Sequence, residues 1–212
     1  MLRSLFPLVV LAVWAAGCAA PDPPAPPLDV TAARAAWDTW VARRDSLFAS
    51  DASPLLPADR AAFAGLPYFP YDSAWVIRAA FVPAVRADTG RYPTSTGELR
   101  PMVVAGQLVF QAGGAERRLV AYQPTGTPGV PAESAPRLFV PFRDITSGGE
   151  TYGGGRYLDL DLQPSGRYAI DFNQAYHPYC VYADAFSCPL PPPENSMEVA
   201  ITAGERLVAS GG

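Results

Sequence analysis

Between residues 29 and 49, Ala33, Trp37, Trp40, Val41, Leu47 and Phe48 recur at helical spacing, with Arg43, Arg44 and Asp45 near the polar side. The spacing predicts a helix with Thr31 as N-cap and residues 50–54 as its stop. Residues 55–63 read as a second short helical turn, because Pro57 suits a first-turn position and Asp59 complements the dipole there. Gly65-Leu66-Pro67-Tyr68-Phe69-Pro70 then enforces an extended, aromatic-rich crossing. Its aromatics, with Tyr71 and Trp75, read as core rather than as a ligand platform.

From Ser73 the period changes to that of strands. Residues 74–85 are rich in Val, Ile and Phe, and Pro83 pushes the end toward a sheet edge. Residues 90–93 read as a turn, 98–104 and 107–111 as two strands around Ala105-Gly106, and 117–123 as the next after Gly113-Gly114. Residues 124–136 read as a loop, 138–142 as a short strand. Residues 157–162 alternate strictly, as a half-buried strand does, and 167–172 alternate again. Residues 198–202 and 206–208 complete the predicted sheet around Gly204. The expected fold is mainly β (α+β): a curled antiparallel sheet or small barrel with the N-terminal helix packed at one side.

Composition narrows the class. At 212 residues and 49% hydrophobic content the chain can bury one good core, so residues 29–212 are expected to form a single domain. Charged residues make up 17% and the net charge is −4, which leaves no basic surface and disfavours a nucleic-acid partner. Residues 1–17 carry the marks of an export signal: Arg3, an apolar run from Leu5 to Val13, and Ala15-Ala16-Gly17 before Cys18. That run is shorter than the about 20 residues a spanning helix needs. The pattern resembles a bacterial lipobox, with Ala15 where leucine is usual; Cys18 would then carry lipid and form the mature N-terminus. Ordinary secretory cleavage near Ala20 is the alternative. Each buried lipid methylene contributes about 0.8 kcal/mol to anchoring. Residues 18–28, rich in proline, would form a semi-rigid tether. The expectation is a lipid-anchored cell-envelope protein whose membrane partner is reached through Cys18. Ala19, rather than Asp, points to the outer membrane facing the periplasm if the host is Gram-negative.

Residues 146–195 concentrate the candidate chemistry: tyrosines, the single histidine, two of the three cysteines and a Pro-rich stop. Cys180 and Cys188, eight positions apart in an exported chain, are expected to form a disulfide, with free thiols or a metal site left open. The order His177-x-x-Cys180-x7-Cys188 matches no common zinc spacing, and nothing else calls for a cofactor. Gly153-Gly154-Gly155-Arg156 lacks the ending of a phosphate loop and reads as a positive-φ turn feeding a strand. Arg156 offers a planar fork to a ligand anion, or to Asp171 or Asp159. Asp159 and Asp161 share a strand face, and Asp171 on the returning strand approaches them; such a group would supply general acid and base. Cys180 with His177 is a possible nucleophile and base, oriented by Asn173 or Asp184. Glu194 and Asn195 are expected to fold back as hydrogen-bonding groups.

The chain resembles the bacterial family known as domain of unknown function 1684. The shared pieces are Trp40 to Asp45, Ser53-Pro54-Leu55, Phe63 to Pro70, Leu138 to Asp144, Thr151 to Asp159, Asp171-Phe172-Asn173, Tyr176-x-Pro178-Tyr179-Cys180 and Ser187 to Asn195. They span nearly all of the mature chain. The resemblance implies a secreted or lipid-anchored single domain and carries no activity with it. The family pattern has asparagine where this chain has His177, which removes His177 from the centre of any scheme. The remaining candidates are Arg156, Asp159, Asp171, Asn173, Tyr176, Tyr179, Glu194 and Asn195. The leading expectation is a module that binds a small polar ligand, with Tyr157, Tyr176, Tyr179 and Tyr182 lining the pocket and Arg156 and Asn173 fixing the ligand. The alternatives are an envelope hydrolase or transferase using carboxylates or Cys180, and a structural or assembly lipoprotein.

Overall fold

The computed structural model describes residues 27–86, 88–124 and 137–207. The export signal, Cys18, most of the tether and the expected 124–136 loop beyond Pro124 lie outside them. Helix α1 (Val30–Ala49) occupies the predicted span, but its N-cap is Asp29, whose carboxylate accepts the Ala32 N–H; Thr31 falls inside the first turn. Helix α2 (Pro57–Ala61) begins on proline as expected.

Among the described residues seven strands form one antiparallel sheet: β1 (Val76–Pro83), β2 (Thr89–Pro93), β3 (Leu99–Ala112), β4 (Ala115–Pro124), β5 (Arg137–Phe142), β6 (Arg156–Asp161) and β7 (Arg167–Asp171). The order is β6-β5-β4-β3-β1-β7, with β2 pairing β3 off this path. The two strands predicted around Ala105-Gly106 are one long strand, β3, and the register against β4 shifts between Val104 and Gly106, where a bulge bends it. The predicted turn at 90–93 is strand β2. The two ends of the sheet path, β6 and β7, are consecutive in the chain. Beyond β7 the chain returns to β6, where Tyr157 and Tyr176 exchange backbone hydrogen bonds, so the curled sheet is nearly closed.

The inner face carries the main core, with Leu108, Leu119, Leu138, Val140 and Ile170 fully buried around Phe142 and Phe172. A second, smaller core lies on the opposite face of β3–β6: Met102, Tyr122, Phe139 and Tyr157 are covered by Cys188 and Cys180. The Tyr- and Pro-rich segment is therefore the cover of a second apolar layer. Helix α1 packs onto the same segment: Phe48 meets Phe63, Tyr179 and Tyr182, and Trp37 Nε1 donates to the Asn173 carbonyl at 3.0 Å.

The strands predicted at 198–202 and 206–208 do not form within the described residues. Alternation is present there, but the segment pairs with backbone only through an isolated bridge, Tyr68–Glu205, and single bonds such as Ile145 N–H to Val199, and side chains take the rest. The Arg156 guanidinium donates to the carbonyls of Ile201, Ala203 and Glu205, and Asp144 accepts the Ile201 N–H. Gly204, at φ +80°, lets this segment turn against Ala175 with no Cβ in the way.

Candidate functional site

Most of the predicted site residues serve the fold. Arg156 enters β6 straight after Gly155, whose φ of +95° confirms the expected turn; a Cβ there would strike the Phe142 carbonyl and Pro191. The Arg156 side chain is fully buried, and its carboxylate partner is Asp144 at 3.4 Å, not Asp171 or Asp159. Burial lowers the pKa of Arg156 and the Asp144 charge opposes that shift. A guanidinium enclosed in this way fixes residues 201–205 through its two terminal nitrogens, while its buried Nε has no hydrogen-bond partner among the described residues.

The two asparagines act as stand-ins for peptide groups. Asn173 Oδ1 accepts the Asp72 N–H and its Nδ2 donates to the Asp72 carbonyl, at 3.0 and 2.9 Å. Asn195 accepts the Val120 N–H and donates to the carbonyls of Val120 and Pro141. It thereby bridges β4 and β5 where their ladder is reduced to the single pair Tyr122–Phe139. Glu194, beside it, is exposed at the start of a 3-10 turn and does not fold back with it. Asp171 caps the turn after β7, bonding Asn173 and Gln174 rather than joining Asp159 and Asp161. Tyr179 packs edge-on against Phe186 and Phe48, Tyr157 is buried with its hydroxyl on the Pro189 carbonyl, and the Tyr182 hydroxyl donates to Glu205. Of the four tyrosines expected to line one pocket, Tyr176 alone lines the groove described below.

The cysteine and histidine expectations require correction. Cys180 and Cys188 are free thiols, and the expected disulfide is not formed. The 3-10 turn at Tyr179–Val181 aims the Cys180 N–H at the Cys188 sulfur, which accepts it at 3.3 Å. Burial, together with that neighbouring thiol, pushes Cys188 up to about 12, so it does not offer a thiolate near neutral pH. His177 is 1% exposed and does not face Cys180 as a base. Its Nε2 accepts the Tyr152 N–H at 3.2 Å, and its backbone N–H donates to Glu205 at 2.7 Å. Burial, reinforced by Arg156 and Arg44, lowers it to about 3, which keeps it neutral.

Two residues that organise this interior were not singled out from the sequence. Arg44, assigned to the polar side of α1, instead pairs with buried Glu205 at 2.5 Å and stacks its guanidinium 4.6 Å over the Tyr176 ring. Burial works against its charge, but Glu205 outweighs that and the pKa rises. A bulky cation flanked by Trp40, Val41, Leu47 and Phe48 was the available signal, and Glu205 carried none.

Among the described residues, a polar constellation not consumed by the fold lines a groove of about 510 Å³ between α1 and the β5–β6 edge. Its helix wall presents Ala36, Thr39, Trp40 and Arg43, spaced i, i+3, i+4 and i+7, so they share a face. Its floor presents Arg137 of β5, Asp159 and Asp161 of β6, and Gln174 and Tyr176 from the chain after β7. The Tyr176 hydroxyl donates to Asp159 at 2.8 Å, and Arg137 pairs with Asp161 at 2.8 Å. Asp159 and Asp161 do share a face, as the alternation predicted. Asp159 reaches the open side of the groove, yet the surrounding protein strips enough water to raise its carboxyl above the usual range, against the pull of Tyr176 and Arg137. Arg43 is exposed and has no ion pair or hydrogen bond among the described residues.

A mainly β domain with a curled sheet, a helix laid along it and a polar groove between the two is the class defined so far. The chain belongs to the family described as protein of unknown function (DUF1684), whose model matches residues 61–206. It is similar to the uncharacterised protein from gene locus rrnAC0354 of Haloarcula marismortui, solved by solution NMR. The two are 33% identical with a TM-score of 0.68, covering 86% of this chain and 98% of that one. No curated protein matches.

Proposed function

We propose that this chain is a lipid-anchored binding module of the cell envelope that takes a small polar ligand in the groove between α1 and β6. The supporting observation is the division among its polar side chains. Arg156, Asn173 and Asn195 direct their hydrogen bonds inward, to backbone and to the carboxylates of Asp144 and Asp171, while Asp159, Asp161, Arg43 and Tyr176 converge on an open concavity whose rim Gln174 joins to Asp171. A volume of about 510 Å³ falls within the ~300–1,000 Å³ typical of small-molecule sites. The envelope half of the reading rests on the sequence of residues 1–28, in which an apolar run and small residues precede Cys18 and a proline-rich spacer follows. In cells fed an alkyne-tagged palmitate analogue, the protein should take up label that Cys18→Ala abolishes; unlabelled wild-type protein would remove the anchor. For the groove, a fragment screen followed by backbone amide shifts should map hits to Thr39, Arg43, Asp159 and Gln174. Hits that cluster elsewhere, or none, would remove the ligand site.

A further inference from the structure

We infer that the ligand is a neutral carbohydrate; this rests on the reading of the groove as a binding site and specifies its chemistry. The groove is balanced in charge. The groove holds two guanidinium groups, Arg43 and Arg137, and two carboxylates, Asp159 and Asp161. Their formal charges cancel. A phosphate or carboxylate drawn to Arg43 meets Asp159 and Asp161, and an ammonium drawn to the carboxylates meets two arginines. A ligand with no net charge meets no such opposition.

The shape of the donors and acceptors favours adjacent hydroxyls. Carboxylate, guanidinium and carboxamide are planar two-point groups that either accept or donate in pairs. A vicinal diol offers a donor and an acceptor on each oxygen, so adjacent hydroxyls can engage a carboxylate and a guanidinium together. Asp159 is set for this: its Oδ2 takes the Tyr176 hydroxyl, which orients the carboxylate. The Tyr176 ring is itself held under the Arg44 guanidinium. Arg44 and Glu205 thus position the groove tyrosine without touching the ligand.

The groove also has an apolar wall. Trp40 lines the groove with Ala35 and Ala36, and its ring is fixed edge-to-face on Tyr68 at 6.0 Å. An aromatic wall flanked by alanines, opposite a polar floor, suits a sugar ring that has C–H groups on one face and hydroxyls around its rim.

Saturation-transfer difference NMR on the purified full chain tests the inference. The probes are maltotriose, cellotriose and the β-1,4-linked N-acetylglucosamine trimer; tetraethylene glycol, glutamate and spermidine serve as controls. At least one trisaccharide should receive saturation on its ring protons while the controls do not. Arg43→Ala and Asp159→Asn should each weaken it at least tenfold, and Trp40→Leu should reduce transfer to the C–H face. Saturation of glutamate or spermidine with no trisaccharide bound would overturn the carbohydrate class and leave the groove as a site. Silence from every probe would overturn the class and count against the groove as well. A trisaccharide whose binding survives both polar substitutions sits elsewhere, which also overturns the inference.

Discussion

His177→Asn should flatten the acid side of this protein's stability profile. With Nε2 accepting the Tyr152 N–H, the neutral ring carries its proton on Nδ1, 3.9 Å from Glu205. A second proton would have to enter at Nε2, against an N–H already pointing at it and in the field of Arg156 and Arg44. The folded-state pKa of about 3 lies well below the ordinary 6.5. A depressed pKa means that the unfolded chain binds the proton first. The contribution is therefore intact above pH 6.5 and is lost as the pH falls toward 3. The slope is about 1.4 kcal/mol per unit, giving about 2 kcal/mol lost at pH 5 and about 3 kcal/mol at pH 4. For a domain of this size 2 kcal/mol corresponds to roughly 4–8 °C in Tm. Asparagine stops short of the Nε2 position and has nothing to titrate, so the Tyr152 N–H it leaves adds an offset that is the same at every pH. Urea unfolding of both proteins at pH 8, 6, 5 and 4 reads the effect directly. The gap between them should shift toward the variant by about 3 kcal/mol from pH 8 to pH 4. Parallel profiles over that range would refute the account of a buried, neutral histidine.

Asn195→Ala removes three hydrogen bonds to Val120 and Pro141 and should cost about 3 kcal/mol in urea unfolding; a loss under ~1 kcal/mol would mean β4 and β5 hold without it. Arg156→Met leaves Asp144 buried without its partner and frees the carbonyls of residues 201, 203 and 205, so a loss of roughly 3–5 kcal/mol is expected. Hydrogen exchange should show that loss first at residues 201–207, and unchanged protection there would contradict the proposed tie. Alkylation of unfolded, unreduced protein should label both Cys180 and Cys188, while native protein protects Cys188; failure to label either after unfolding would restore the disulfide.

How much the sequence disclosed depends on whether the partner of each residue is local. Helix α1 and strands β4 to β7 were readable because period and turn residues are local signals. Residues 198–207 form no strand because their backbone is satisfied from far back in the chain, by the Arg156 guanidinium and by single bonds to residues 67–69 and 145. Asn173 and Asn195 bond peptide groups 101 and 75 residues away, a role that no short window reveals. The cysteine expectation followed compartment and spacing, whereas the turn at Tyr179–Val181 brings a backbone N–H to the Cys188 sulfur. In the candidate site, the shared face of Asp159 and Asp161 was legible from strict alternation. Arg43 became their neighbour through the placement of α1, Arg137 through the β5–β6 register that sets it opposite Asp161, and Gln174 through the return of the chain after β7.

The account turns on the separation between a polar scaffold and a polar groove. The double variant Arg43→Ala/Asp159→Asn tests it most directly, with stability and trisaccharide binding measured on the same protein. Both positions are exposed, so unfolding free energy should stay within about 1 kcal/mol of wild type while binding disappears. Loss of several kcal/mol, or binding that persists undiminished, would contradict the assignment of this groove as the site.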